Sequence, residues 1–367
     1  MAINEDAWES KVVSALEKAG WTYVPAEQLD RSYSDVMVEP LVKEALIRLN
    51  PIIEQEPSKA DVVIQRLRAY FFEAAAHNLI DINERFRNFV LDKNSFSIGE
   101  NGKSVPVDIF GTITKGNTDK NSYIVTNQWV YPQAEGGKRL DIVLLVNGIP
   151  MVIGELKTPV KESITYLDAI KDIGDYEKSI PKMFTANVFS FATEGKCYRY
   201  GSIKSSVEHW GPWFKHDQKK EGTIEDVLVS MQDMLVPEKV MDIFEFYTLF
   251  STSGKDFQKY KVVCRYQQFE GANAIVNRVR AGGPKKGLIW HFQGSGKSFL
   301  MLFAARKLRT LPELNAPTVI IVDDRVDLES QTSGIFTTAN VPNLENASTI
   351  KELEADLKGD LRKIIIT

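Results

Sequence analysis

Three ionisable residues stand at the ends of two apolar runs: Asp141 opens Ile142–Val146, and Glu155 and Lys157 follow Ile149–Ile153. Residues two apart on a strand share a face, so Glu155 and Lys157 would point the same way. Two carboxylates with a strand carbonyl, that of Leu156, suit Mg²⁺. Such a cation would neutralise charge on a phosphodiester transition state and activate water near neutral pH. Lys157 would then orient that water or help deprotonate it. The same residues also fit a strand cap at Asp141 with a solvated edge pair of Glu155 and Lys157. The apolar neighbours favour the rim of a buried sheet. A second constellation lies at His291-Phe292-Gln293-Gly294-Ser295-Gly296-Lys297-Ser298. Backbone N–H groups of a glycine loop at a helix N-terminus cradle phosphates, with Lys297 reaching the β/γ-phosphates of ATP and Ser298 holding Mg²⁺. His291 occupies the place of the first glycine of the general GxxxxGK[ST] pattern, so a plain flexible turn is the other reading.

The elements that must position these residues follow from periodicity. Asn147-Gly148 supplies a two-residue turn between the apolar runs, which predicts a hairpin. Apolar spacing predicts helices over 4–19, 40–49, 58–76 and 80–90, with Asn4 as a cap and Gly20 as a stop. Alternating segments broken by Gly111, Gly116 and Asn117 predict β-hairpins between Ser104 and Gln128. A helix over 163–178 and strands over 187–192 and 197–201 would complete a mixed sheet. Helical patterns resume over 224–235 and 237–250. The last third reads as helix 265–281, strand 287–290, helix 297–308, buried strand 318–322, helix 327–335 and strand 363–367. That alternation predicts a parallel sheet.

The chain has 367 residues, 43% hydrophobic and 26% charged, with 45 Lys and Arg against 49 Asp and Glu, a net charge of −4. Two domains or three fit this length. The balance lacks the global basic field that would attract nucleic acid, so contact with DNA would be local or delegated to another subunit. Two cysteines, Cys197 and Cys264, lie far apart without CxxC or histidine spacing, which argues against a disulfide framework or zinc site and fits a reducing cytoplasm. The acidic start lacks an apolar targeting core, and no apolar run approaches ~18 residues.

Asn127-Gln128 followed by Arg139 through Lys157 resembles the nuclease segment of type I restriction endonuclease R subunits, of the PD-(D/E)xK fold. The resemblance extends to Trp8-Glu9 with Leu16 and Ala19-Gly20-Trp21, and to Phe191-Ala192-Thr193-Glu194-Gly195. It implies that Glu9 lies near the metal site and that Tyr176 belongs to the helix after the catalytic strands. Asp172 departs from the family, which carries a glutamine four residues before that tyrosine, and Leu140 stands where a proline usually precedes the aspartate. Trp290 through Ser298 is similar to the family's motor domain. Arg265-Tyr266-Gln267-Gln268 resembles its adenine-reading segment, with Gln268 as reader, though Gln268 also fits a surface helix residue; 322–331 resembles the next superfamily 2 helicase motif, where Arg325 and Asp327 also fit a helix cap and ion pair.

The resemblance implies an α/β chain: a mixed-sheet PD-(D/E)xK nuclease domain over 1–210, a helical linker over 211–260, and an incomplete RecA-like parallel α/β domain over 261–367. It implies an ATP-dependent endonuclease of a restriction-modification system acting on double-stranded DNA with Mg²⁺ and ATP. Methyltransferase and specificity subunits would be its partners. No acidic DExx motif follows the strand at 363–367, so the motor reads as truncated and its last hundred residues as poorly ordered. A stand-alone metal-dependent nuclease or repair enzyme, and a docking module without catalysis, are the rival readings.

Overall fold

The computed structural model describes residues 5–91, 94–132, 137–218, 220–253, 257–323, 326–339, 341–359 and 362–367. The chain divides into two units, residues 1–245 and 246–367.

In the first unit, helix α1 (Glu5–Ala19) opens with Glu5 and Asp6 at its positive end and buries Trp8, Val12 and Leu16. Gly20, at φ +114°, lets the chain turn off it. Asn4, the expected cap, lies outside the described residues. Strand β1 (Thr22–Tyr23) leads to α2 (Glu39–Leu49), α3 (Pro51–Gln55), α4 (Lys59–Glu73) and α5 (Leu79–Leu91). Prolines near the first turns of α2 and α3 leave no helical donor unsatisfied. Strands β2 (Tyr123–Tyr131), β3 (Lys138–Val146) and β4 (Ile149–Leu156) follow. Helix α6 (Tyr166–Ser179), held by a Thr165–Asp168 capping box, then crosses to β5 (Phe189–Thr193) and β6 (Tyr198–Gly201). The six strands form one sheet in the order β1-β2-β3-β4-β5-β6. β1 and β2 run parallel, as do β4 and β5, while the other neighbours are antiparallel, so the sheet is mixed as expected. Helix α6 packs on β4 and β5, and α1 on β1 and β2. Every side chain from Ile142 to Leu156 is buried.

Of the segments expected to form hairpins between Ser104 and Gln128, Tyr123–Val125 becomes part of β2 and pairs with β3, while the part before it forms no hairpin. Among the described residues before Tyr123, the stretch makes a single isolated bridge, Phe96 with Val105. Asparagine side chains take the place of a ladder. Asn94 bonds both N–H and C=O of Val107, Asn50 those of Asp108, and Asn121 those of Gly111. With its polar groups satisfied this way, the backbone has no need of a strand partner.

Residues 211–245 pack within this unit. α7 (Ile224–Met234) lies on α1, and the Trp21 indole donates to the Leu235 carbonyl at 2.5 Å. α8 is Pro237–Phe246. The helix read over 237–250 therefore ends early, because Thr248 starts a strand.

In the second unit β7 (Thr248–Thr252) pairs antiparallel with β8 (Lys259–Val263). Then come α9 (Tyr266–Arg280), α10 (Lys297–Thr310), β9 (Val319–Ile321), α11 (Val326–Thr338), β10 (Leu344–Asn346), α12 (Ile350–Lys358) and β11 (Ile364–Ile366). The parallel sheet is ordered β10-β11-β9. The strand expected at 287–290 is irregular instead, with Leu288 and Trp290 each 91% exposed. No described strand pairs with it, and an unpaired apolar run has no ladder to hold it extended. β9 was expected to be buried, yet it lies at a sheet edge with Ile320 half exposed. Asp324 and Arg325 of the expected helicase-like motif lie outside the described residues, as do the side chains of Asp327 and Gln331.

Candidate active site

The hairpin explains why Asp141 and Glu155 meet. Asn147 and Gly148 take φ +51° and +78°, the pair of left-handed conformations that a tight two-residue turn needs. The last ladder pair of β3 and β4 is Ile142 with Gly154. One step further along that register, Asp141 comes opposite Glu155. Asp141 Oδ2 accepts the Leu156 N–H at 2.8 Å, which ties the acid across the strands. Gly154 allows β5 to close in, since a Cβ there would run into the Phe191 ring.

Glu155 is 3% exposed, and its Oε2 is buried without a hydrogen-bond partner. Its Oε1 accepts from Lys157 Nζ at 2.7 Å. Lys157 also forms an ion pair with Asp172 of α6. The acid that departs from the family pattern therefore completes a carboxylate pair around the lysine. Tyr176, one helical turn on, is buried and its hydroxyl donates to the Arg139 carbonyl at 3.4 Å. On the other side, Glu9 of α1 accepts from the side-chain amides of Asn127 and Gln128 on β2. The structure thus gathers Asp141, Glu155, Lys157, Asp172 and Tyr176 at one end of the sheet, with Glu9 close enough for its charge to act on Asp141.

Burial pushes the Asp141 carboxyl up to about 6, against the opposing pull of the Leu156 N–H and Lys157. Burial and the neighbouring Asp141 charge push Glu155 up to about 8. Burial alone would lower Lys157, but Glu155 and Asp172 outweigh it and hold the ammonium raised and charged. Burial, with Glu155, Asp141 and Asp172 around it, keeps the Tyr176 hydroxyl firmly protonated. Two acids that resist ionisation side by side, one with an orphaned buried oxygen, form a place where a divalent cation would substitute for the held proton. Among the described residues no three acids, histidines or cysteines converge as a ready-made metal cage. The donor set still fits Mg²⁺, which takes one or two carboxylates and completes its shell with water and phosphate oxygens.

The glycine loop is of a different kind. Gly294 and Gly296 take φ +82° and +79°, and Gly296 caps α10. Lys297 is exposed and folds back on its own loop, donating to the carbonyls of His291 and Phe292 at 3.3 and 3.4 Å. Gln268 of α9 donates to the carbonyls of Ser295 and Gly296 and accepts from the Arg265 N–H, so its amide braces the loop. Ser295 is buried with its hydroxyl unpartnered, and Ser298 is half-buried in the first turn of α10.

Periodicity had no means of finding Asn127 and Gln128. Their functional signal is geometric, because Gln128 is a non-glycine residue at φ +55° inside a strand. Such a conformation costs on the order of 1 kcal/mol and collects at functional sites.

A mixed sheet that carries a buried acid pair and a caged lysine defines an α/β protein with a candidate acidic site at one end of its sheet. Residues 2–208 match the model of the type I restriction enzyme R protein N terminus, and residues 267–367 match that of the SWI2/SNF2 ATPase. The chain belongs to the family of type I restriction enzyme R proteins, whose N-terminal segment it carries. It is 30% identical over 350 residues to the type I restriction enzyme HindI endonuclease subunit of Haemophilus influenzae, covering 90% of this chain and 32% of that one. A Methanocaldococcus jannaschii protein provisionally named as the type I restriction enzyme MjaIXP endonuclease subunit is 27% identical, covering 97% and 36%. The chain therefore spans about a third of the length of these relatives. Among the described residues no helix is long and apolar enough to cross a membrane.

Proposed function

We propose that this chain supplies the endonuclease of a type I restriction-modification system, cutting double-stranded DNA by Mg²⁺-dependent phosphodiester hydrolysis in the cytoplasm. Residues 1–210 are the PD-(D/E)xK nuclease domain and 261–367 the first part of a RecA-like, ATP-driven translocase, working with methyltransferase and specificity subunits. The observation that carries the reading is the buried meeting of Asp141 and Glu155, with an orphaned carboxylate oxygen beside Lys157.

Asp141, Glu155 and the Leu156 carbonyl would hold the cation, whose chemistry is neutralisation of phosphate charge and activation of water. Lys157, kept cationic by Glu155 and Asp172, donates to the phosphate or the attacking water and orients it. Glu9 adds a third acid at the rim, and Tyr176 walls the site with a hydroxyl that stays protonated. At the second site Gly294, Ser295, Gly296 and Lys297 would take the phosphates of ATP, Ser298 its Mg²⁺, and Gln268 the adenine once it leaves the loop carbonyls.

The test is plasmid cleavage with Mg²⁺, by the chain alone and by the assembled enzyme. Cutting only in the assembly, lost in Asp141→Ala, is expected. Efficient cutting by the chain alone would favour a stand-alone nuclease, and undiminished cutting by Asp141→Ala would refute the site.

A further inference from the structure

Along a regular strand, consecutive side chains point to opposite faces. Asn127 and Gln128 are consecutive in β2, yet both donate their amides to the one carboxylate of Glu9. The break in alternation is at Gln128, whose φ is +55°. The ladder to β3 stays in register around it, with Asn127 opposite Ile142 and Trp129 opposite Leu140. Gln128 itself therefore stands across from Asp141. The orientation of the neighbouring amide is also set: the Tyr23 hydroxyl donates to Asn127 Oδ1 at 2.8 Å, which leaves Nδ2 to face Glu9. Each oxygen of the Glu9 carboxylate thus has its own amide donor, at 8% exposure, on the helix beside the acid pair.

The geometry points to Gln128 as a positioning residue: its left-handed backbone turns a second amide onto Glu9, and the clamp holds that side chain at the rim of the Asp141–Glu155 cation site. This rests on the metal reading above and deepens it. The backbone conformation is one that a glycine would adopt more readily, so a glutamine there serves the carboxylate rather than the strand. Partners that orient a metal's ligands commonly change affinity 10–100-fold when removed.

The test is Mn²⁺ binding, followed by the electron paramagnetic resonance of free Mn²⁺, with thermal unfolding alongside. Gln128→Gly should bind Mn²⁺ about 10-fold more weakly while its Tm stays at or above that of the parent chain. Gln128→Asn keeps an amide and tolerates left-handed backbone but falls a methylene short of Glu9, and should show the same loss. Glu9→Gln should lose about as much, and the double variant Glu9→Gln/Gln128→Gly no more than the weaker single one. Parent-like affinity in Gln128→Gly and Gln128→Asn, or losses that add in the double variant, would overturn the clamp. A marked drop in Tm would show that the amide serves the fold, and would overturn it too. If Asp141→Ala abolishes binding while the Gln128 variants leave it unchanged, only the clamp falls. If Asp141→Ala binds Mn²⁺ as the parent does, the metal reading falls and the clamp with it.

Discussion

Each of the two candidate sites is built around a lysine, and they hold it in opposite ways. Lys157 is pinned between Glu155 and Asp172 at the end of a buried ladder whose every residue from Ile142 to Leu156 is packed. Lys297 is exposed and bonded only loosely to carbonyls of its own loop, while the residues before that loop lie irregular in solvent. A site seated on paired strands is organised before anything binds. A loop without a strand behind it borrows its order from its own carbonyls and from Gln268, and must exchange them for a ligand. Preorganisation follows from the ladder, and the glycines alone do not supply it.

Exchanging the two lysines for alanine should separate the sites most sharply. In the assembled enzyme Lys157→Ala should lower DNA cleavage by about 10³-fold and leave ATP hydrolysis in place. Lys297→Ala should remove ATP hydrolysis, together with any ATP-induced rise in Tm. Loss of both activities in either variant would break the contrast.

The next effect in size is on stability as a function of pH. In the unfolded chain carboxyls ionise near 4, whereas burial delays Asp141 to about 6 and Glu155 to about 8. Between those limits the folded state holds more protons than the unfolded one, so these groups stabilise less as pH rises from 4 to 8. Measured without divalent cations, an Asp141→Asn/Glu155→Gln variant should gain steadily on the parent across that window, by several kcal/mol in all. Saturating Mg²⁺ should flatten the parent's slope. A difference that stays constant with pH would mean the acids are not buried as described.

Glycine substitutions probe the scaffold on a smaller scale. In Gly154→Ala the new methyl meets the Phe191 ring inside the sheet, at a cost of about 2 kcal/mol in denaturant unfolding. Gly294→Ala meets no atom within 4 Å and carries only the strain of positive φ, about 1 kcal/mol. The reverse order would mean that the loop is the more rigid of the two.

The hairpin that joins Asp141 to Glu155 was legible because both of its determinants are local. Continuous apolar runs specify the buried strands, and Asn147-Gly148 specifies the turn and hence the register that joins Asp141 to Glu155. The segment from 104 to 122 was not legible. Its alternation resembles strands, but the asparagines that replace the ladder, Asn50, Asn94 and Asn121, come from separate places in the chain. Strand 287–290 was misread because an apolar run indicates only that burial is favourable, and no described neighbour provides it. Asp172 looked like an anomaly until α6 was seen to lay it against Lys157. Glu9 entered only through family resemblance. Its amide clamp depends on a backbone angle at Gln128 that the residue type does not announce.

The most direct test of a cation site within this chain is calorimetric titration of Mn²⁺ into the 367-residue protein and its Asp141→Ala variant. Saturable binding by the first and none by the second is expected. Equal binding by both would place the cation elsewhere and contradict the assignment of Asp141 and Glu155.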